Sequence, residues 1–138
     1  MSELDRLYRQ KNSYNYQKSQ YMSERAAVSE KIRRLKETKR AVDRIKDYAG
    51  DARNYISGKM ETHKDTWAGD EQRKVEEMHA SGINAGFSAY YNDVDKVLDS
   101  ICDEITRLEN ENRNLGFLLN TIINKINDIS NEIEKWMN

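Results

Sequence analysis

Between Phe87 and Trp136 the large apolar residues recur in an unbroken alternation of three and four positions. The series runs Phe87, Tyr91, Val94, Leu98, Ile101, Ile105, Leu108, Asn112, Leu115, Leu119, Ile122, Ile126, Ile129, Ile133 and Trp136, and Asn112 is its one polar member. A spacing that averages 3.5 places every member on one stripe of a long helix and calls for a partner helix to cover it. Asn112 takes an a position in this register, where a buried Asn costs stability and fixes pairing register; a solvated side chain is the alternative. The chain of 138 residues has Pro 0, where average usage would supply about seven. Because Pro is the residue that breaks a helix, continuous helix is open to both halves.

The N-terminal half carries a weaker stripe. Val28, Ile32, Leu35, Val42, Ile45, Ala49, Ala52 and Ile56 mark a helical face whose phase slips near Thr38 and Lys39. Upstream, the frame Leu4, Leu7, Lys11, Tyr14, Lys18, Tyr21, Arg25 alternates tyrosine with cation. That is a poor seam on its own, although Tyr rings and Lys or Arg stems can cover apolar surface. Gly50 and Gly58 each cost about 1 kcal/mol inside a helix, so a first helix that loosens or bends there is expected.

The break between the halves lies at His63–Asp70, HKDTWAGD. Asp65 and Thr66 are acceptable N-caps, Gly69 can take the backbone angles of a tight turn, and Asp70 and Glu71 suit the positive end of a new helix. Gly82 and Gly86 soften that helix's first turns. The fold class expected is all-α: two long antiparallel helices forming a helical hairpin or coiled coil, turning at Trp67-Ala68-Gly69. Residues 1–138 read as a single domain, with a basic arm at 1–64, the turn at 65–70 and an acidic, heptad-bearing arm at 71–138.

Charge supports folding the chain back on itself. Residues 1–69 carry 16 Lys and Arg against 10 Asp and Glu, and residues 70–138 carry 7 against 14. A reversal near residue 68 sets the basic run 31–46 opposite residues 90–105, which include Asp93, Asp95, Asp99, Asp103 and Glu104. Surface pairs contribute only ~0–1 kcal/mol each, so the pattern selects orientation more than it adds stability. The same pairing sets residues 115–136 against residues 1–21, which offer mainly Leu4, Leu7 and tyrosines. Each large side chain left uncovered forgoes roughly 1.5–3 kcal/mol. A second helical chain is therefore expected over Leu115, Leu119, Ile122, Ile126, Ile129, Ile133 and Trp136.

No arrangement of residues points to catalysis, a cofactor or a metal. His63 and His79 match no zinc-ligand spacing, the glycines are too scattered for a phosphate loop, and Cys102 beside the seam reads as a small flanking hydrophobe. The run KIRRLKETKRAVDRIK holds eight cations in sixteen residues, but no aromatic side chains interleave for base stacking and the net charge is −1. Nucleic-acid binding is not expected. The start, MSELDRLYRQ, has no apolar h-region, and nothing reaches the ~18 apolar residues of a membrane span. Neither Sec export nor membrane insertion is expected.

Trp67-Ala68-Gly69 between two long helices resembles the Trp-x-Gly turn of the WXG family, small helical hairpins handled by type VII (ESX or Ess) secretion. The stretches TWAGDEQRKVEEM and YYNDVDKVLDSICDEITRLENE look more like the extended WXG-like proteins associated with LXG-domain toxins of Gram-positive bacteria. As a strict motif the resemblance covers Trp67 and Gly69; as architecture it covers nearly the whole chain. It implies pairing with another helical protein, either the N-terminal domain of an LXG-type toxin or a second small WXG-like protein. A role in folding the toxin or delivering it to the secretion machine follows, with the chain in the cytoplasm or exported alongside its partner. The family also uses a Tyr-x-x-x-Asp/Glu export signal, which Tyr91 and Asp95 fit on one helix face. They lie within the second helix rather than after it, and Tyr91 holds a seam position, so core pairing is their alternative role. In isolation the chain could pair with itself as a homodimer. The competing function is a self-associating coiled-coil scaffold with no part in secretion.

Overall fold

The structure, a computed structural model, describes residues 2–63 and 69–138. Helix α1 (Glu3–His63) is 61 residues long. Ser2 caps it: its Oγ accepts from the Asp5 amide at 3.1 Å, and Glu3 and Asp5 place negative charge in the first turn, where the helix dipole favours it. The expected turn residues Asp65, Thr66, Trp67 and Ala68 lie outside the described residues. Gly69 opens helix α2 (Gly69–Glu77) with φ +59, the left-handed conformation that glycine adopts without a Cβ penalty. A π-helical segment (Met78–Ile83) follows, its end marked by the Asn84 amide donating to the His79 carbonyl five residues back. Helix α3 (Asn84–Met137) then runs for 54 residues. The two long helices pack against each other as a helical hairpin.

Three expectations about the first arm are corrected. Helix α1 continues unbroken through Gly50 and Gly58. Its phase does not slip at Thr38 and Lys39, because every seventh residue from Leu7 to Ile56 (Leu7, Tyr14, Tyr21, Val28, Leu35, Val42, Ala49 and Ile56) is buried or half-buried. The positions between them in the heptad include Lys11, Lys18, Lys39, Lys46 and Arg53, all half-buried, and these cations concealed the line. The pairing register is also displaced. Lys46 meets Asp95 and Ser29 meets Asn112, whereas a reversal at residue 68 would have set each about five residues earlier on the second arm.

The chain divides into two compact units, each assembled from both arms: Met1–Arg34 with Glu104–Asn138, and Leu35–Asp103. In the first, Leu7, Val28, Leu108, Leu115, Ile122 and Ile133 are buried. The Arg25 guanidinium lies 3.4 Å from where a Cβ on Gly116 would be. Lys125 Nζ stands 5.5 Å over the Tyr14 ring, and Tyr8 Oη donates to Met137 Sδ at 3.6 Å. The N-terminal tail thus covers more of the second arm than expected, because rings and aliphatic stems take the place of branched side chains. In the second unit Val94 and Ile101 are buried, with Val42, Ala49, Ile56, Phe87, Tyr91 and Leu98 half-buried around them.

Candidate functional site

The heptad stripe of α3 resolves into two sets of positions. Val94, Ile101, Leu108, Leu115 and Ile122, seven apart, are buried; on the alternate positions Ile105 and Ile133 are buried while Leu98, Asn112, Leu119 and Ile126 are half-buried. Of the residues expected to face another chain, Leu115, Ile122 and Ile133 are therefore covered within this one. Leu119, Ile126 and Ile129 keep part of their surface, and Trp136 is 61% exposed. Phe117 and Leu118 lie off the stripe and are 63% and 47% exposed; Leu118 belongs to the apolar surplus expected in residues 115–136, whereas Phe117 was not singled out. A pair of large apolar residues immediately after Gly116 was the available signal.

Asn112 is half-buried on the seam. Its Nδ2 donates to Ser29 Oγ at 2.9 Å, tying the two arms together, while its Oδ1 is buried without a hydrogen-bond partner. This contact across the seam penalises slippage, since a shifted pairing would break it.

Tyr91 and Asp95 lie in the second unit, one turn apart on α3, and α1 engages both. Asp95 Oδ1 accepts from Lys46 Nζ at 2.5 Å, and that hydrogen bond holds the Lys46 ammonium above its ordinary pKa. The Arg53 guanidinium lies 5.3 Å from the Tyr91 ring centroid, a cation–π distance. Tyr91 Oη is buried without a hydrogen-bond partner and fits against Gly50, where an added Cβ would come within 3.0 Å of it. Periodicity identified Tyr91 and Asp95, and charge set the basic run that ends at Lys46 opposite the acidic stretch that holds Asp95; Gly50 and Arg53 depended on the true register and were not foreseen.

Beside this cluster, in the same unit, an open apolar cavity of about 390 Å³ is lined by Ala49, Gly82, Ile83, Gly86, Phe87 and Tyr90. Small residues at three of the six positions leave the depression, and Phe87 and Tyr90 wall it. His79 is half-buried, its Nε2 3.2 Å from Ser57 Oγ. Cys102 is a half-buried free thiol on the flank of the seam. Among the described residues no group of His, Cys, Asp and Glu is placed to hold a metal ion, and no helix is long and apolar enough to cross a membrane.

The arrangement offers surfaces for helices: an interlocked seam, an apolar cavity beside it and large side chains left outside it. No curated protein and no solved structure matches the chain. One family model does, the YwqH-like model, over residues 9–131; that span takes in most of both long helices and the whole of the segment between them, and the chain belongs to the YwqH-like family.

Proposed function

We propose that the protein is a non-enzymatic helical adaptor of the type VII secretion pathway that binds an LXG-type toxin and acts as its chaperone or targeting factor. The observation that carries this reading is the family match across both arms of the hairpin, because YwqH-like proteins are helical proteins associated with LXG-domain proteins. The hairpin supports it physically. Phe117, Leu118 and Trp136 remain exposed on α3 next to the half-covered Leu119, Ile126 and Ile129, and a helix laid along this edge would remove their apolar surface from water at about 25 cal/mol per Å². The toxin's helical N-terminal domain is the partner assigned to that edge. Tyr91 and Asp95 serve the hairpin in this reading, as pairing residues held by α1.

The test is co-purification of the tagged protein from its native host. Recovery of an LXG-domain protein, with loss of that protein's export when this chain is deleted, is the expected result. Normal export in the deletion strain would sink the proposal. Leu118→Asp places a charge on the exposed edge without touching the buried seam and is expected to lower toxin capture at least about tenfold, which corresponds to about 1.4 kcal/mol. Unchanged capture by a folded variant would move the interface elsewhere.

A further inference from the structure

The second unit carries an apolar side that its own hairpin does not use. On α1, Ile45, Tyr48 and Tyr55 are 50%, 68% and 66% exposed, and with exposed Ala52 they repeat at intervals of three and four. Each stands one residue before a member of the inward line Lys46, Ala49, Arg53, Ile56. On α3, Tyr90 and Val97, 38% and 50% exposed, each stand one residue before inward Tyr91 and Leu98. In two antiparallel right-handed helices, the residues preceding the inward lines fall on the same side of the pair. The cavity formed by Ala49, Gly86 and Tyr90 opens on that side. The hairpin thus presents an aromatic-rich face that an interhelical interface of its own size would cover.

The charges along this face are self-complementary. Arg44 precedes Ile45 and Asp51 precedes Ala52, so both flank the same stripe with opposite sign. On α3, Asp93 and Lys96 do the same. All four are exposed, and none makes an ion pair with another described residue. Arg44 and Asp51 are equidistant from a point between Asp47 and Tyr48. The contacts of Lys46 with Asp95 and of Gly50 with Tyr91 put that point level with Asp93–Val94 on α3. That level is also the midpoint of Tyr90 and Val97, and within one residue of the midpoint of Asp93 and Lys96. A single two-fold axis at this level, perpendicular to the helices, therefore brings Arg44 to Asp51 of a second copy, Tyr90 to Val97 and Asp93 to Lys96. One operator satisfies three pairings on two helices.

We infer that this face is a homodimer interface, in which a second copy of the chain docks with α1 antiparallel to α1 and α3 antiparallel to α3. The surface is separate from the Phe117–Leu118 edge assigned to the toxin, and the dimer stands or falls independently of any secretion role. It makes the adaptor bivalent.

Sedimentation analysis of the full chain is expected to show a dimer. Arg44→Asp and Asp51→Arg should each weaken it roughly tenfold or more by setting like charges opposite each other, and the combined swap Arg44→Asp/Asp51→Arg should restore it. Circular dichroism checks that each variant remains helical. Orientation is read in a Cys102→Ser background with a short thiol-specific cross-linker. Tyr48→Cys lies beside the two-fold axis and should cross-link, whereas the two copies of Tyr55→Cys stand about 22 Å apart along the helices at 1.5 Å per residue and should not. A monomer at all concentrations would overturn the inference, leaving the face to a different helical protein. Failure of the charge swap to restore association, or efficient cross-linking of Tyr55→Cys, would overturn the symmetry assigned.

Discussion

Gly50 and Gly58 are the same residue in the same helix, and the structure gives them different worth. An added Cβ at Gly58 meets nothing within 4 Å, while at Gly50 it would come 3.0 Å from Tyr91 Oη. Gly58→Ala should therefore stabilise the protein by roughly 0.5–1 kcal/mol through helix propensity. Gly50→Ala should give back that gain by displacing the tyrosine. Because Tyr91 Oη is buried without a partner, Tyr91→Phe removes both the clash and an unsatisfied hydroxyl. A double-mutant cycle by chemical denaturation should find Gly50→Ala more favourable in the Tyr91→Phe background by more than ~0.5 kcal/mol; additivity would show that the two side chains do not compete for space. Asn112 yields to the same logic: Asn112→Leu relieves the unpaired Oδ1 and should raise stability by about 1 kcal/mol, at the cost of the contact to Ser29 that penalises slipped pairing. A charge near the middle of α1 is tuned locally. Hydrogen bonds from Arg33, with further help from Arg34, hold the Glu30 carboxyl down at about 2. A folded-state value depressed in this way favours the folded chain above the ordinary carboxylate range, and the preference disappears as pH falls through that depressed value. An NMR titration of Glu30 should show the low midpoint, and Arg33→Gln with Arg34→Gln should return it toward the value of a free glutamate.

At the scale of the element, the two helices were unequally legible. Helix α3 advertises itself because, Asn112 apart, both sets of heptad positions are apolar from Val94 to Ile133. Helix α1 has one apolar set, Leu7 through Ile56, and a second set dominated by Lys and Arg, so its threes and fours read as fragments with an apparent phase slip. Composition concealed the register as well. Helix α1 ends at His63 and helix α2 opens at Gly69, the expected turn residues Trp67 and Ala68 lie outside the described residues, and no local pattern beyond Ala80, Gly82 and Gly86 marks the six-residue π-helical segment Met78–Ile83. Charge brought the run ending at Lys46 to the acidic stretch of α3, but without the true register the contacts of Gly50 and Arg53 with Tyr91 had no counterpart in the sequence. The apolar set of α1 is unevenly filled, and Leu7, 1% exposed, is its best-buried member. Leu7→Ala should cost 2–5 kcal/mol, against well under 1 kcal/mol for Tyr16→Ala, whose ring is 67% exposed and outside the seam. Comparable losses at the two sites would mean that the heptad line is not what closes this end of α1.

For the molecule as a whole, the alternation of apolar residue and cation along α1 explains how a chain that is 37% hydrophobic and 34% charged closes a seam written for a richer partner. Lys11 and Lys18 are half-buried at seam positions, and a lysine placed so can cover apolar surface with its methylene stem while its ammonium group reaches water. Such cover is weaker than that of a branched side chain, because holding a long stem in place costs rotamer entropy. It also restricts what else can bind, since a charged line tolerates an acidic helix better than a basic one. If stems do the covering, shape and apolar area decide stability and charge decides orientation. Lys11→Leu combined with Lys18→Leu should then raise the melting temperature by several degrees, about 1 kcal/mol per site, while Lys11→Ala with Lys18→Ala should lower it although it removes the same two charges. A charge-based role predicts that the two pairs of substitutions behave alike. Thermal melts of both double variants, recorded at low and at high salt, separate these accounts: a shared loss that salt diminishes would assign the first arm's cations to ion pairing, and opposite shifts that persist in salt would assign them to the seam.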